Sequence, residues 1–241
     1  MRLLYTIWCQ FWLVAIFLLL FPLIFILLQS ENWKPQVHIL NRVWSKLFFL
    51  MIGIKCEIEY RFNPNINETY VFCANHFSYL DTASIAVIIK NYFAFIGRAE
   101  TGKVPLFGYL FNKLHIGVNR DDAKSRIQTL KTTLKTLQSG RSIMIFPEGG
   151  INTKNAPQMF EPLTDGAFAM AIQAQVPIVP ITLLTNYQIL PDQNPMRFYR
   201  KTMKAIVHEP IFTKGLTKTD LEKVKTQYFD LVQNTLNLYQ K

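Results

Sequence analysis

Residues 75–81, which read Asn-His-Phe-Ser-Tyr-Leu-Asp, combine side chains that suit proton transfer. A histidine can take a proton near neutral pH because its unperturbed pKa is about 6.5. A carboxylate on its other ring nitrogen would fix the tautomer and stabilise the imidazolium. On one continuous helix His76 and Asp81 would lie about 140° apart, so we expect the chain to turn between them. The alternative is a buried structural histidine.

Three other segments bring candidate site residues to predicted strand ends. Residues 146–150, Phe-Pro-Glu-Gly-Gly, follow an apolar run and contain Glu148, a possible hydroxyl acceptor, and Gly149, which would let backbone approach a ligand. Arg120 follows residues 116–119, and arginine is the favoured partner of a phosphate. Lys103 is a second candidate cation. The alternative for residues 146–150 is an ordinary Pro-Gly turn. For Arg120 it is a solvated arginine, and for Lys103 a surface lysine.

The elements that must position these residues alternate between short apolar strands and amphipathic helices. This order predicts an α/β fold with a mostly parallel sheet covered by helices, in which ligand sites gather at strand ends. We predict strands at 56–61, 70–74, 93–97, 115–118, 142–146, 178–184 and 203–207, and helices at 80–90, 105–113, 123–138, 164–174 and 220–238.

Two predicted helices carry more detailed signals. In the helix at 123–138, an apolar face is expected from Ile127, Leu130, Leu134 and Leu137, with Asp121 or Asp122 as the N-terminal cap. The last helix has Thr219 and Glu222 at the spacing of a capping box.

The N-terminal region predicts a membrane anchor. Residues 3–28 contain no formal charge, and as a helix they would extend roughly 39 Å, enough to cross a hydrocarbon core. A cleaved signal peptide is the alternative, and a helix kinked at Pro22 could stay in one leaflet. Residues 36–54 predict an interfacial amphipathic helix, or one packed on the protein core. We therefore expect anchoring helices in 1–55 and a catalytic α/β domain in 56–241.

Composition limits the compartment and the partners. The net charge of +10 fits a membrane surface or an anionic substrate, and no nucleic-acid-binding motif is present. Cys9, Cys56 and Cys73 show no disulfide or metal-ligand spacing. The reduced thiols, and Lys34, Arg42 and Lys46 after the apolar run, predict a catalytic domain on the cytoplasmic face of the cell membrane. The histidines do not cluster with other metal ligands, so no metal is expected.

Together these segments resemble the glycerolipid acyltransferase family, most closely the bacterial 1-acylglycerol-3-phosphate acyltransferases. The resemblance covers roughly residues 70–185. The matching blocks are Asn-His-x4-Asp at 75–81, Lys103 with the Pro-x-x-Gly after it, Arg120, Phe-Pro-Glu-Gly at 146–149 and Val-Pro-Ile-Val-Pro at 176–180.

The resemblance implies a role for each of these residues. It implies that His76 is the general base and that Asp81 orients it. The acceptor headgroup would be bound by Lys103, Arg120, Glu148 and Gly149. It also implies a two-helix N-terminal membrane anchor. The expected reaction moves a fatty acyl group from acyl-CoA or acyl carrier protein, without a cofactor, to the hydroxyl of lysophosphatidic acid, giving phosphatidic acid.

One departure bears on the acceptor. The family's third block commonly continues Gly-Thr-Arg, whereas this chain continues Gly150-Ile151-Asn152. Lys154 could replace the missing cation; otherwise the acceptor would be less anionic, such as a lyso-aminolipid. An enzyme acting on glycerol 3-phosphate is a further alternative within the family. A non-catalytic membrane-binding module is an alternative outside it, while a serine esterase would normally show Gly-x-Ser-x-Gly, which this chain lacks.

Overall fold

The computed structural model describes residues 2–151 and 155–240, and their order of elements is that of an α/β fold. The helices are α1 Arg2–Leu27, α2 Lys34–Met51, α3 Asp81–Ile88, α4 Phe107–Leu114, α5 Ala123–Gln138, α6 Gly166–Ala174, α7 Asn186–Ile189 and α8 Leu221–Tyr239. The strands are β1 Cys56–Tyr60, β2 Val71–Ala74, β3 Phe93–Arg98, β4 Ile116–Val118, β5 Ser142–Ile145, β6 Ile178–Leu183 and β7 Met203–Val207.

The strands form one sheet in the order β1-β7-β6-β2-β5-β3-β4. All neighbouring pairs are parallel except β6 and β7. The central strands β2, β5 and β6 are buried along their whole length, as expected for parallel strands with helices on both faces. The predicted α/β class, with its mostly parallel sheet covered by helices, is confirmed.

Successive residues of β2 point to opposite faces of the sheet and so enter two separate cores. Phe72 packs with buried residues of α1, α2 and α3. Val71 and Cys73 pack on the other side, among buried residues of α5, α6 and α8. The N-terminal helices therefore cover one face of the sheet, and α5, α6 and α8 cover the other.

The helices α1 and α2 form an antiparallel pair. Near one end the Tyr5 hydroxyl donates to the Ile52 carbonyl oxygen (2.9 Å), and further along the Trp44 indole N–H donates to the Leu13 carbonyl oxygen (3.2 Å). Within the described residues, α1 is the one helix long and apolar enough to cross a membrane. Of the two anchor helices that the resemblance implied, one is therefore found: α1 is long and apolar enough to cross a membrane, and α2 is not.

The helix α2 packs one face on the protein core, as one of its two interpretations predicted, while its interfacial role stays a prediction. Val37, Phe48 and Phe49 are buried in the protein. Large apolar side chains on another stripe of α2 are exposed, namely Ile39, Val43, Leu47 and Leu50. One face therefore stabilises the fold, while the other leaves apolar surface beside that of α1.

Some local predictions were wrong. Ile127 is exposed, so the buried face of α5 depends on Leu130, Leu134 and Leu137. The capping box before α8 joins Thr217 and Asp220 rather than Thr219 and Glu222, because a short 3-10 helix, Lys218–Asp220, precedes α8. Asp122 caps α5 through the Lys124 backbone N–H, as one of the two predicted alternatives.

Candidate active site

The register of β2 and β5 aligns the two most suggestive sequence blocks. Val71, Phe72 and Cys73 pair with Ile143, Met144 and Ile145, so both strands end at the same edge of the sheet. Beyond the strands, the His76 backbone N–H donates to Glu148 Oε1 (2.7 Å). Two segments that are 72 residues apart in the chain are therefore in direct contact at the carboxyl edge of the central strands.

His76 and Asp81 form a hydrogen-bonded pair. The Nδ1 of His76 lies 2.9 Å from Asp81 Oδ2. The Asp81 backbone N–H donates to the Ser78 carbonyl oxygen (3.1 Å), which closes the predicted turn between the two side chains. With the proton on Nδ1, the Nε2 of His76 is the acceptor nitrogen. This geometry suits a histidine base oriented by a carboxylate.

Backbone and side-chain donors hold Asp81 in place. Its Oδ2 also accepts from the backbone N–H groups of Phe77 and Ser78, both at 2.9 Å. Its Oδ1 accepts from the side-chain amide of Asn186 (2.8 Å), which also donates to Ser84 Oγ (2.9 Å). The carboxylate is buried, yet both of its oxygens are hydrogen-bonded, which offsets the cost of removing it from water.

Phe146 covers one face of the catalytic histidine candidate. The rings of His76 and Phe146 are stacked, with centroids 3.9 Å apart and planes at 11°. The His76 side chain retains 15% of its accessible surface. Its Nε2 has no hydrogen-bond partner among the residues that the structure describes, so this nitrogen is available to a ligand.

Glu148 is buried and binds backbone on both sides. Its Oε1 accepts from His76 N–H, and its Oε2 accepts from Phe160 N–H (2.9 Å). Burial raises the pKa of Glu148 to about 7, an effect that these two N–H groups partly oppose. The sequence predicted Glu148 as a headgroup ligand; the structure shows in addition that it joins the His76 loop to residue 160.

Arg120 lies against the backbone of Gly149. A Cβ atom at Gly149, whose φ is 82°, would come within 2.9 Å of an Arg120 terminal nitrogen. Arg120 is half-buried and forms no ion pair with an acidic residue in the described parts of the chain. Its burial, and second the charge of Arg98, lower the pKa of Arg120. A guanidinium without an acidic partner, next to a glycine that has no side chain, is a suitable phosphate-binding group.

Arg98 is a cation of this region that the sequence did not single out. It ends β3, one residue beyond the predicted strand, and pairs in register with Val118 of β4, two residues before Arg120. Its nearest acidic partner, Glu100, is at 3.9 Å. Its position in the sequence could have identified it, since a basic residue at the carboxyl end of a parallel strand lies at the edge of the sheet where ligands bind.

Lys103 is not joined to the histidine pair by any contact among the described residues. It is exposed at the end of a short 3-10 helix, Ala99–Lys103. Lys154, the suggested replacement for the missing family arginine, lies outside the described residues. Within residues 2–151 and 155–240, no group of three His, Cys, Asp or Glu side chains could hold a metal ion.

The sequence and the geometry of this site agree with a known family. The family model described as Acyltransferase matches residues 54–184. The chain belongs to the acyltransferase family. The His76–Asp81 pair, Arg120 and Glu148 all lie within the matched region, so the candidate site is built from the part of this acyltransferase that matches the family model.

Several curated relatives of this acyltransferase are 1-acyl-sn-glycerol-3-phosphate acyltransferases. A chloroplastic enzyme from Brassica napus is 26% identical over 78% of this chain and 54% of its own length. A human enzyme is 33% identical over 71% of this chain and 60% of its own length. One from Helicobacter pylori is 26% identical over 75% and 76%. The chain spans about half the length of the plant relatives that it matches.

A solved structure has the same fold as this acyltransferase. The crystal structure of the 1-acyl-sn-glycerophosphate acyltransferase PlsC from Thermotoga maritima superposes with a TM-score of 0.82. The match covers 100% of this chain and 98% of that one, at 18% identity. The shared fold therefore includes the two N-terminal helices as well as the sheet.

Proposed function

We propose that this acyltransferase moves a fatty acyl group onto the free hydroxyl of 1-acylglycerol 3-phosphate, giving phosphatidic acid. The observation that carries the proposal is the His76–Asp81 pair at 2.9 Å. Its loop is hydrogen-bonded to Glu148, and Arg120 lies against the next residue, Gly149. Relatives from plants, bacteria and animals that are named 1-acyl-sn-glycerol-3-phosphate acyltransferases support this acceptor.

The chemistry requires a base and an activated acyl donor. His76 Nε2 takes the proton of the acceptor hydroxyl as that oxygen attacks the thioester carbonyl. The tetrahedral intermediate collapses, the C–S bond breaks, and the thiolate takes the proton from the imidazolium. Asp81 stabilises the imidazolium through Nδ1. The donor is acyl-CoA or acyl carrier protein, and because a thioester is already activated, the mechanism requires no metal and no cofactor.

The acceptor phosphate would be bound at the strand ends next to the histidine. Arg120 provides the main contact, Gly149 leaves the space for it, and Arg98 adds a second positive charge. Lys103 reaches the phosphate from the exposed side. Glu148 fixes the backbone of His76 and Phe160, so that the base and the phosphate site keep a constant separation.

The apolar helix α1 would bind the enzyme to the membrane from the cytoplasmic side. Its buried residues, Thr6, Cys9, Ile16 and Ile24, are distributed along the helix and face the protein. Leu4, Phe11, Leu19 and Ile26 are exposed on the remaining surface. A helix that packs on its own domain over this length is best placed in one leaflet, with its exposed side in the hydrocarbon.

A related acceptor is the second candidate, because Gly150-Ile151 stands in place of the Thr-Arg that is usual in the family, so that this cation is missing. The test is mass spectrometry of the products formed by purified protein from a panel of acceptors. The panel includes lysophosphatidic acid, glycerol 3-phosphate and a lyso-aminolipid, each with acyl-CoA and with acyl carrier protein. Phosphatidic acid as the main product supports the proposal, while acylation of only the lyso-aminolipid would contradict it.

A further inference from the structure

The segment between the 3-10 helix Ala99–Lys103 and α4 exposes three consecutive apolar residues. Val104 retains 48% and Leu106 45% of their accessible surface, and Pro105 between them is also exposed. The Phe107 backbone N–H donates to the Pro105 carbonyl oxygen (2.6 Å), which closes a γ-turn centred on Leu106. Leu106 has a φ of 59°, a conformation that is strained for a bulky residue.

This turn is a fixed feature of the fold. The Gly108 backbone N–H donates to the Val104 carbonyl oxygen (2.6 Å), and the Asn112 side chain donates to the Gly102 carbonyl oxygen (3.1 Å). A Cβ atom at Gly108 would lie 2.3 Å from that same Gly102 oxygen. The backbone on both sides of the turn is thus packed closely on α4, and the apolar side chains project from a rigid base.

The turn lies beside the apolar helix α1. The Phe107 ring is 6.2 Å from the Phe17 ring of α1, and the Tyr109 ring is 5.3 Å from Phe25. Leu110 and Leu114 of α4 complete this contact in a small core shared with α1. The turn therefore directly precedes a helix that packs on α1, and α1 also exposes large apolar side chains.

The backbone contacts hold the strained conformation of Leu106, but its apolar side chain gains little from packing within the described chain, because it remains nearly half exposed. Its position next to α1 suggests the partner. We propose that the Val104–Leu106 turn inserts into the hydrocarbon layer of a phospholipid membrane, alongside α1. Lys103, which directly precedes the turn, is exposed. With the turn inserted, its ammonium group would lie at the depth of anionic headgroups.

The insertion has a consequence for the orientation of the enzyme. The turn follows β3, whose last residue is Arg98, and so projects from the same edge of the sheet as the candidate site. Contact through α1 alone would leave rotation about the α1 axis free, whereas a second point of insertion would fix the site edge toward the lipid surface. This inference concerns the membrane surface and goes beyond the proposed acyl transfer.

The proposal can be tested with fluorescent labels on the full chain. In a Cys56→Ser background, in which the remaining Cys9 and Cys73 are buried, single variants Leu106→Cys, Val104→Cys, Leu19→Cys and Ile127→Cys are labelled with bimane. Each is added to vesicles of phosphatidylcholine and phosphatidylglycerol that contain acyl-chain-brominated lipid, or to plain vesicles with aqueous iodide. Leu19 reports α1, and Ile127 is an exposed apolar control on the other face of the sheet.

We expect brominated lipid to quench the labels at 104 and 106 about as strongly as the label at 19, and several times more strongly than the label at 127. Iodide should show the reverse order. Iodide quenching at both 104 and 106 equal to that at 127 would overturn the proposal, whatever the label on α1 shows. Because the measurement needs no turnover, its failure is distinguishable from failure of the proposed reaction.

Discussion

Asn186 donates its side-chain amide to the Asp81 oxygen that faces away from His76, at 2.8 Å. Asn186 is 1% exposed and begins the short helix α7, which follows β6. A second hydrogen bond to Ser84 Oγ fixes the amide against α3. The carboxylate is therefore oriented from two sides, by the turn of its own block and by a residue more than 100 positions later in the chain.

We predict that Asn186→Ala lowers kcat by about 10-fold to 100-fold, because a loosely held Asp81 misplaces the imidazole. The KM values for donor and acceptor should change little, since Asn186 contacts neither proposed binding site. Asn91→Ala is the matched control: Asn91 is also buried and also donates two side-chain hydrogen bonds, to the carbonyl oxygens of Asn65 and Glu68. Equal losses of kcat in both variants would show that Asn186 acts only through general stability.

The proposed base gives the largest expected effect. His76→Ala should abolish measurable transfer, and Asp81→Asn should lower kcat by about 10⁴-fold, as in a comparable histidine–carboxylate arrangement. Steady-state assays would be paired with thermal melting in detergent. His76→Ala should melt close to wild type because its side chain is partly exposed. Asp81→Asn should be less stable, because its NH2 group would face an N–H donor in place of one of the two carboxylate oxygens. Near-normal turnover in a folded His76→Ala variant would exclude the mechanism.

Much of the fold was predictable because the signals are local. Most strands are short runs dominated by apolar residues, such as 143–145 in β5 and 178–181 in β6. The short helix α7 was missed because one turn of helix has no periodicity to detect. Ile127 was assigned to the buried face, although α5 turns this residue away from the sheet. An apolar residue at the edge of a helical stripe can be buried or exposed, and the local sequence does not distinguish the two.

The candidate site was predictable only in part, for a different reason. The pairing of His76 with Asp81 depends on a five-residue turn, and its residue types are visible in the sequence. The contacts of Asn186, Phe146 and Arg98 depend on strand order, which places distant segments together. Strand order follows from the complete packing of the sheet, and the sequence around each residue does not contain it.

Glu148 gives a testable dependence of stability on pH. Burial raises the pKa of its carboxyl from the model-compound value of 4.5 to about 7 in the folded protein. Between these two values the folded state binds more protons than the unfolded state, so the free energy of unfolding should fall as pH rises from about 4.5 to about 7. The contribution is of the order of 3 kcal/mol at most.

The measurement is denaturant unfolding of wild type and Glu148→Gln in detergent at several pH values. The amide cannot titrate, so the variant should lack this part of the pH dependence, although it should be less stable at every pH because an NH2 group would face a backbone N–H. Glu57→Gln is the control, since Glu57 is partly exposed on β1 and its pKa is lowered by Lys55. Identical pH slopes for wild type and Glu148→Gln would contradict the assignment.

Gly149→Ala should damage the acceptor site without affecting the histidine pair. The added Cβ would meet the Arg120 guanidinium at 2.9 Å, and a φ of 82° is unfavourable for alanine. We expect the acceptor KM to rise while the donor KM is nearly unchanged. Gly150→Ala is the matched control, because a Cβ there meets nothing within 4 Å. A normal acceptor KM in Gly149→Ala would separate Arg120 from acceptor binding.

Arg120 and Arg98 should contribute unequally to recognition of the phosphate. A charge-assisted hydrogen bond to a phosphate contributes about 1.5–3 kcal/mol, so Arg120→Ala should lower kcat/KM for lysophosphatidic acid by roughly 10-fold to 150-fold. Arg120→Lys should retain part of the activity, because lysine keeps the charge but not the bidentate geometry. Arg98→Ala should lower kcat/KM less than Arg120→Ala does, since the Arg98 side chain is 74% exposed and its charge is screened by solvent.

The contrast between two acceptors makes this prediction specific. Each variant would be assayed with lysophosphatidic acid and with monoacylglycerol, which has the same acyl chain but no phosphate. A loss of activity with lysophosphatidic acid alone indicates a phosphate contact, whereas an equal loss of activity with both acceptors indicates a structural role. Arg61→Ala controls for the removal of one positive charge, because Arg61 follows β1 and pairs with Glu59 (2.7 Å). If Arg120→Ala leaves the preference between the two acceptors unchanged, the phosphate site does not include Arg120, and an acceptor without a phosphate monoester becomes the better hypothesis.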